Sequence, residues 1–281
     1  MFLAVRLRAR ESFDWHNDYG YGVMGRIGEA LRDTSYDRSH DDGSPPPYTF
    51  SEIRPFSHEV KEGHDKYLVF ASPESELIRR LAEDFRSNPR LNVGPMRYKI
   101  RAAGVIDLRI GDSGWLQSLS GLNIAINPDD DGPDEYWGTK NSESGCAQDF
   151  DEFRDALHQS VQGACRGQFV PEPDADTDLF DSYELVKTFA APFTVTAGDQ
   201  ITVVRSHWRL QYNVRDEEHR QQLNTLHRSG VGKKTGYGCG MLAPVPSPEF
   251  DPGDAVLYVA EQALDEQIDL GGERPAPEVS V

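Results

Sequence analysis

Two hydrophobic periodicities alternate along this chain, in the same order twice over, and that order leaves few folds open. Residues 2–8 (Phe2-Leu3-Ala4-Val5-Arg6-Leu7-Arg8) alternate apolar with polar and read as a strand. Val23, Met24, Ile27 and Leu31 recur at helical spacing and predict a helix over 20–33. A polar loop over 37–47 carries His40 and three prolines, and short strands follow over 48–53 and 66–71. Residues 73–86 predict a helix with Pro73 at its start and Glu74 and Glu76 in its first turn. Leu77, Ile78, Leu81 and Phe85 form its apolar face. Residues 96–110 read as a further strand. The order β-α-β-β-α-β is that of a ferredoxin-like unit.

The second half can be drawn the same way. Residues 122–126 serve as its first strand and 149–161 as a helix through Phe150, Phe153, Leu157 and Val161. Strands follow over 183–195 and 201–212, then a helix over 216–228 and a last strand over 237–245. Acidic loops fall at 128–135 and 171–181. The expected architecture is α+β: two tandem ferredoxin-like (βαββαβ, RRM-like) units, 1–118 and 119–269, with a C-terminal glycine-rich loop. Residues 270–281 are rich in Gly, Pro and Glu and predict a disordered tail. Only the element order repeats, not the sequence.

The 281 residues are long enough for two cores, and the formal net charge is −18. Lysine is scarce, with 29 Lys and Arg together against 47 Asp and Glu, and the acid is spread along the chain. This balance resembles that of proteins from halophilic archaea. At ~1 M salt the Debye length is about 3 Å, so repulsion among surface carboxylates is screened while their hydration persists. Net charge is therefore a poor guide to partners, and a nucleic-acid binder fits beneath it. Cys146, Cys165 and Cys239 are odd in number and widely spaced, which suits a reducing cytoplasm and neither a disulfide framework nor a zinc site. Arg6, Arg8 and Arg10 follow the first apolar residues at once, unlike a leader peptide. No apolar run reaches the ~18 residues of a membrane span.

Against this acidic background stands Gly230-Val-Gly232-Lys233-Lys234-Thr-Gly236-Tyr-Gly238-Cys-Gly240. Glycine lets backbone N–H groups approach an anion closely, and lysine is a mobile charge suited to phosphate. The run reads as a phosphate-chain contact; a tight turn needing φ > 0 is the plainer alternative. It is not a P-loop, since no G-K-[ST] stands at P-loop spacing, and no G-x-G-x-x-G follows a strand and opens a helix. That argues against a small-molecule enzyme binding a nucleotide here.

The glycine block matches a G-h-G-x(5)-G-h-G signature through Gly230-Val231-Gly232 and Gly238-Cys239-Gly240. An earlier block runs from His16-Asn17 to His40-Asp41 and Tyr48-Thr49-Phe50-Ser51. Together they make the chain similar to the CRISPR-associated endoribonucleases that process precursor CRISPR RNA, within the repeat-associated RNA-binding superfamily. The resemblance implies cleavage inside each repeat by the ribose 2′-OH, with no metal or cofactor. It implies CRISPR repeat RNA as partner, and association with type I interference-complex subunits. His40 is then the proton-transfer residue, its ordinary pKa of about 6.5 suiting the task. Gly230, Gly232, Lys233, Lys234, Gly236, Gly238 and Gly240 are the implied RNA contacts.

The chain departs from the family where a tyrosine and a lysine usually assist the histidine. Ungapped counting puts Gly25 and Pro46 there. Tyr21, Tyr36, Arg38 and Tyr48 are candidate replacements, and the sequence does not choose among them. By analogy, Ser118 or Ser120 would touch RNA between the halves. His227 and Arg228 read either as phosphate contacts or as a helix-terminal charge pair. The stretch from Arg79 to Arg109 is the most basic in the chain and a candidate RNA surface. The departures keep a second reading open: a non-catalytic subunit that only holds guide RNA.

Overall fold

The computed structural model describes residues 1–16, 19–36, 47–126, 136–138, 150–196 and 199–265. The N-terminal unit contains β1 (Phe2–Ala9), β2 (Phe13–Asp14), α1 (Gly20–Leu31), β3 (Thr49–Phe50), β4 (Glu59–Val60), β5 (Asp65–Ala71), α2 (Ser75–Ser87), β6 (Arg90–Val93) and β7 (Met96–Ile106). The second contains β8 (Ser113–Ser118), α3 (Phe150–Gly167), β9 (Ser182–Thr196), β10 (Asp199–Asn213), α4 (Glu217–Ser229) and β11 (Leu242–Val245), and α5 (Pro252–Asp265) follows.

The two main sheets are ordered β3-β5-β1-β7-β6 and β11-β8-β10-β9, with antiparallel neighbours throughout. In each unit the first strand lies between the last and the third, and the second strand lies outside the third. That is the ferredoxin-like arrangement, so both halves fold as the element order predicts. The N-terminal sheet adds β6, folded back on β7 through a turn at Gly94 (φ +56°).

Two elements differ from expectation. The first strand of the second unit is β8, not 122–126. Its sequence, Ser-Gly-Trp-Leu-Gln-Ser, lacks a β-branched run and reads as linker, yet it pairs with both β10 and β11. The apolar alternation of Leu122 and Ile124 marks an irregular segment running beside β10, bridged at Leu122 and Ser206. The helix α5 was not expected. Its buried Ala255, Val256, Val259, Ala260 and Ala263 are spaced one face of a helix apart. That face packs with Phe2, Ala4, Val69 and Ala71 of the first sheet and Met241, Ala243 and Val245 of the second unit, closing one core across both. Gly104 of β7 is obligatory beneath α5, because a Cβ there would lie 2.0 Å from the Ala263 carbonyl oxygen. Each sheet's other face packs on its own helices, for example Leu3, Val5 and Leu7 with Val23, Ile27, Leu81 and Phe85.

Candidate functional site

The two sequence blocks that carry the family resemblance meet in space. Gly230 ends α4 at φ +78°, and the run after it folds against β3. Thr49 Oγ1 donates a buried hydrogen bond of 3.1 Å to the Cys239 carbonyl. A Cβ on Gly238 would lie 2.3 Å from the Phe50 ring, and one on Gly230 3.1 Å from Thr49 Cβ. The first turn of α1 touches the same place: a Cβ on Gly20 would lie 2.8 Å from the Tyr237 carbonyl oxygen. β3 and the first turn of α1 therefore both lie directly against the glycine run.

Gly230, Gly232, Gly238 and Gly240 all hold positive φ, as does Lys234 at +59°. Their close approaches are to protein atoms, and most of the run's N–H groups point inward. Val231 N donates to Gly240 O, Gly232 N to Ser160 Oγ, Lys233 N to Asn123 O, Gly238 N to Thr235 O and Gly240 N to Gly121 O. Lys233 is the exposed residue of the run, with Lys234 and Thr235 half-buried beside it and Gly236 buried.

His40 and Arg38 lie outside the described residues. Tyr21 sits on the first turn of α1, 38% exposed. Tyr36 is half-buried, and burial followed by its hydrogen bond with Glu74 raises its phenol's pKa. Tyr48 is buried, which raises its pKa further. Ser118 and Ser120 do not face solvent as expected. The Ser118 hydroxyl exchanges hydrogen bonds with the Trp208 backbone, and the Ser120 hydroxyl accepts from Met241 N. Both are fully buried because they knit β8 and its extension to neighbouring strands. His227 is likewise fully buried, stacked on Phe2 at 5.3 Å. Arg228 pairs with Asp107 at 3.0 Å and fits the helix-terminal charge reading, whereas burial holds His227 well below its usual pKa, so it supplies no charge there.

Beside the glycine run a buried charge cluster spans the two units. Glu52, just after β3, contacts His207 Nε2 at 3.1 Å and bonds Arg54 through its other oxygen. Arg205 of β10 is buried between the Phe189 ring (4.9 Å) and the Cys239 thiol. Burial opposes ionisation of Glu52, but His207, Arg54 and Arg205 together outweigh it and hold the carboxyl well below its usual range. No sequence pattern flagged this cluster, whose members lie far apart in the chain.

The basic stretch from Arg79 to Arg109 divides. Arg79 and Arg80 pair with Glu76 on α2, Arg86 donates to Ala103 O, and Arg109 pairs with Asp107. Arg90, Arg97, Lys99 and Arg101 sit at alternate positions on β6 and β7, opposite the core. Arg6 and Arg8 of β1 join them, with Arg8 directly opposite Lys99. Asp65 is the one acid among the positions of β1, β5, β6 and β7 on that face. Its hydrogen bond to Arg8 (2.8 Å), with Arg6 and Arg101 nearby, holds its carboxyl below the usual range. A six-cation face on so acidic a chain suits a polyanion. Among the described residues no three His, Cys, Asp or Glu side chains are grouped to hold a metal ion. No described helix is long and apolar enough to cross a membrane.

These features define a tandem ferredoxin-like protein with a glycine run docked on its first unit. No protein-family model matches the chain. It is 30% identical over 279 residues to CRISPR-associated endoribonuclease Cas6 of Haloferax mediterranei, covering 93% of this chain and 99% of that protein. The chain therefore belongs to the Cas6 family of CRISPR-associated endoribonucleases. It is also 24% identical over 253 residues to CRISPR-associated endoribonuclease Cas6 2 of Methanocaldococcus jannaschii, covering 87% of this chain and 100% of that one. A solved structure of a Cas6-related protein from Pyrococcus furiosus shares the fold, with TM-score 0.64 at 18% identity over 89% of this chain and 99% of its own.

Proposed function

We propose that this endoribonuclease cleaves precursor CRISPR RNA within its repeats, without a metal ion. The ribose 2′-OH attacks the adjacent phosphate and the 5′-oxygen leaves, giving 2′,3′-cyclic phosphate and 5′-OH ends. His40 transfers the proton, a role typically worth about 10²–10⁴-fold. Lys233, Lys234 and the turn through Gly236 meet the charge that builds on the phosphate. The glycines at 230, 232, 238 and 240 act mainly by fixing that turn on the first unit. The enzyme keeps the mature guide RNA on its basic sheet face and works in the cytoplasm with interference-complex subunits.

The observation that carries this reading is the docking of Thr49 and Phe50 on the glycine run, which sets β3, the strand that follows His40 in the sequence, against the lysine-bearing run. A non-catalytic guide-holding subunit is the second reading. Gly25 and Pro46 at the helper positions favour it, since neither supplies a proton or a charge.

The test is cleavage of the repeat RNA of the host's own array in molar KCl with EDTA. One cut ending in a cyclic phosphate, slowed at least about 100-fold by His40→Ala, supports the enzyme and its histidine. A cut unaffected by His40→Ala removes the histidine and leaves catalysis to positioning. Tight binding with no cut favours the guide-holding subunit.

A further inference from the structure

Between the two units, next to the buried charge cluster, lies a pocket of about 180 Å³. Trp15, Tyr19 and Phe56 wall it from the first unit, Phe189 from the second, and Arg54 and Arg205 also line it. Trp15 stands at the centre of an aromatic group: Phe56 packs edge-on at 5.3 Å and Tyr19 at 5.8 Å. Phe56 is 45% exposed, unusual for a large apolar ring, and sits where a planar ligand would cover it. The Phe189 ring is already stacked on His207 at 5.4 Å and lies 4.9 Å from the Arg205 guanidinium, so it is a held wall.

The polar groups here are mismatched in one direction. The Nε atoms of Arg54 and Arg205 are buried and have no hydrogen-bond partner. The acceptor nearby, Glu52, is already engaged by His207 and Arg54. Both arginines also line the pocket, which therefore offers guanidinium donors among flat apolar walls. Two arginines against one carboxylate would repel a cationic guest, which excludes an ammonium cage. A planar, electron-rich ring with paired acceptors on one edge fits. Among nucleobases, guanine presents two adjacent acceptors, O6 and N7, the pair arginine most often reads. Adenine offers one acceptor and one donor on the same edge.

We propose that this pocket takes one unpaired guanine of the RNA, stacked on the Trp15–Phe56 pair with its O6 and N7 facing the two arginines. Cys239 links the site to the lysine turn, with its thiol against Arg205 and its N–H donating to Lys234 O, so the pocket would fix the register of the strand relative to the cut. The proposal rests on the RNA-cleaving reading, and it adds a source of sequence choice that phosphate contacts alone cannot supply.

The experiment replaces each guanosine of the repeat RNA in turn by 7-deazaguanosine, which loses N7 but keeps Watson–Crick pairing. Binding is measured in molar KCl with wild type, Trp15→Ala, Phe56→Ala and Arg54→Gln, each checked for folding by thermal melting. One position should weaken wild-type binding about tenfold. The variants should bind unmodified RNA about tenfold more weakly and be indifferent to that position. If no guanosine is sensitive, or if Phe56→Ala and Trp15→Ala keep the full sensitivity, the guanine pocket is wrong while cleavage stands. A wild-type protein that neither binds nor cuts unmodified repeat RNA would sink the RNA-cleaving reading and this one with it.

Discussion

Glu52 Oε1 and His207 Nε2 lie 3.1 Å apart in the interior, one from each ferredoxin-like unit. Removing one partner of such a pair leaves its neighbours, here Arg54 and Arg205, without their counter-charge. Glu52→Gln is expected to cost about 3–5 kcal/mol, and the double variant with His207→Gln less than the sum of the singles. The exposed pair Arg79–Glu76, 3.7 Å apart, should contribute almost nothing in molar salt. Urea unfolding in 2 M KCl measures both, a salt level of roughly the regime where surface pairs are screened. Because the folded carboxyl of Glu52 is depressed, its contribution is present above its unfolded pKa of about 4.3 and is lost as pH falls below that. Equal losses at the two sites would show that burial does not protect the pair.

Two histidines set an earlier acid limit. His227 is held well below its usual pKa by burial first, then by Arg228 and the Met1 amine. His219 is lowered by burial, against its contact with the Leu179 carbonyl at 2.9 Å. Both stay neutral in the fold while the unfolded chain binds their protons below pH ~6.5, so stability should fall as pH drops through that value. Each contributes a slope of at most about 1.4 kcal/mol per pH unit. His227→Gln should flatten the profile between pH 6.5 and 5 by up to one such slope, whatever its stability at pH 8. An unchanged slope would mean His227 is protonated without cost.

The repeated element order was legible because apolar spacing is local, and it predicted both sheets apart from the added β6 and the identity of β8. That strand failed the reading because its stability comes from two neighbours, β10 and β11, and not from its own composition. The helix α5 carried a readable apolar face, at Ala255, Val256, Val259 and Ala260, that went unread behind the prolines and glycine at its start. The glycine run was legible as a constraint on backbone, but its immediate partner, Phe50, is a tertiary fact. Arg6 and Arg8 joined the basic face only through register with β7, and Glu52, His207 and Arg205 met only through the docking of the two units. Groups brought together across long sequence separations leave no local period to find.

Salt should act on the fold through the surface. With a formal net charge of −18, self-repulsion dominates in dilute buffer. The melting temperature should rise steeply between ~50 mM and 1 M KCl, as the Debye length shrinks from above 10 Å to about 3 Å. RNA affinity should fall over the same range as phosphate contacts are screened. Opposite slopes for stability and binding on one protein would separate the two effects. A melting temperature already maximal at ~50 mM would remove the case for adaptation to high salt.

The glycines differ in what a methyl group would meet, and that orders three substitutions, two in the run and one in α1. Gly240 has φ +73°, and a Cβ there would lie 1.8 Å from the Val231 carbonyl oxygen, which is backbone and cannot turn away. Gly238 has φ +82°, and its obstacle is the Phe50 ring. Each replacement by alanine carries roughly 1–2 kcal/mol for the left-handed conformation alone. Gly240→Ala should therefore be the more damaging. Phe50→Leu should rescue part of Gly238→Ala by opening space, while adding to Gly240→Ala without rescue. Gly25, in α1, has nothing within 4 Å of where its Cβ would be. Gly25→Ala should stabilise the protein by about 0.5–1 kcal/mol through helix propensity. Urea midpoints of the single and double variants decide the order. If Gly238→Ala is neutral, the docking of the glycine run on β3 is looser than the Phe50 contact implies.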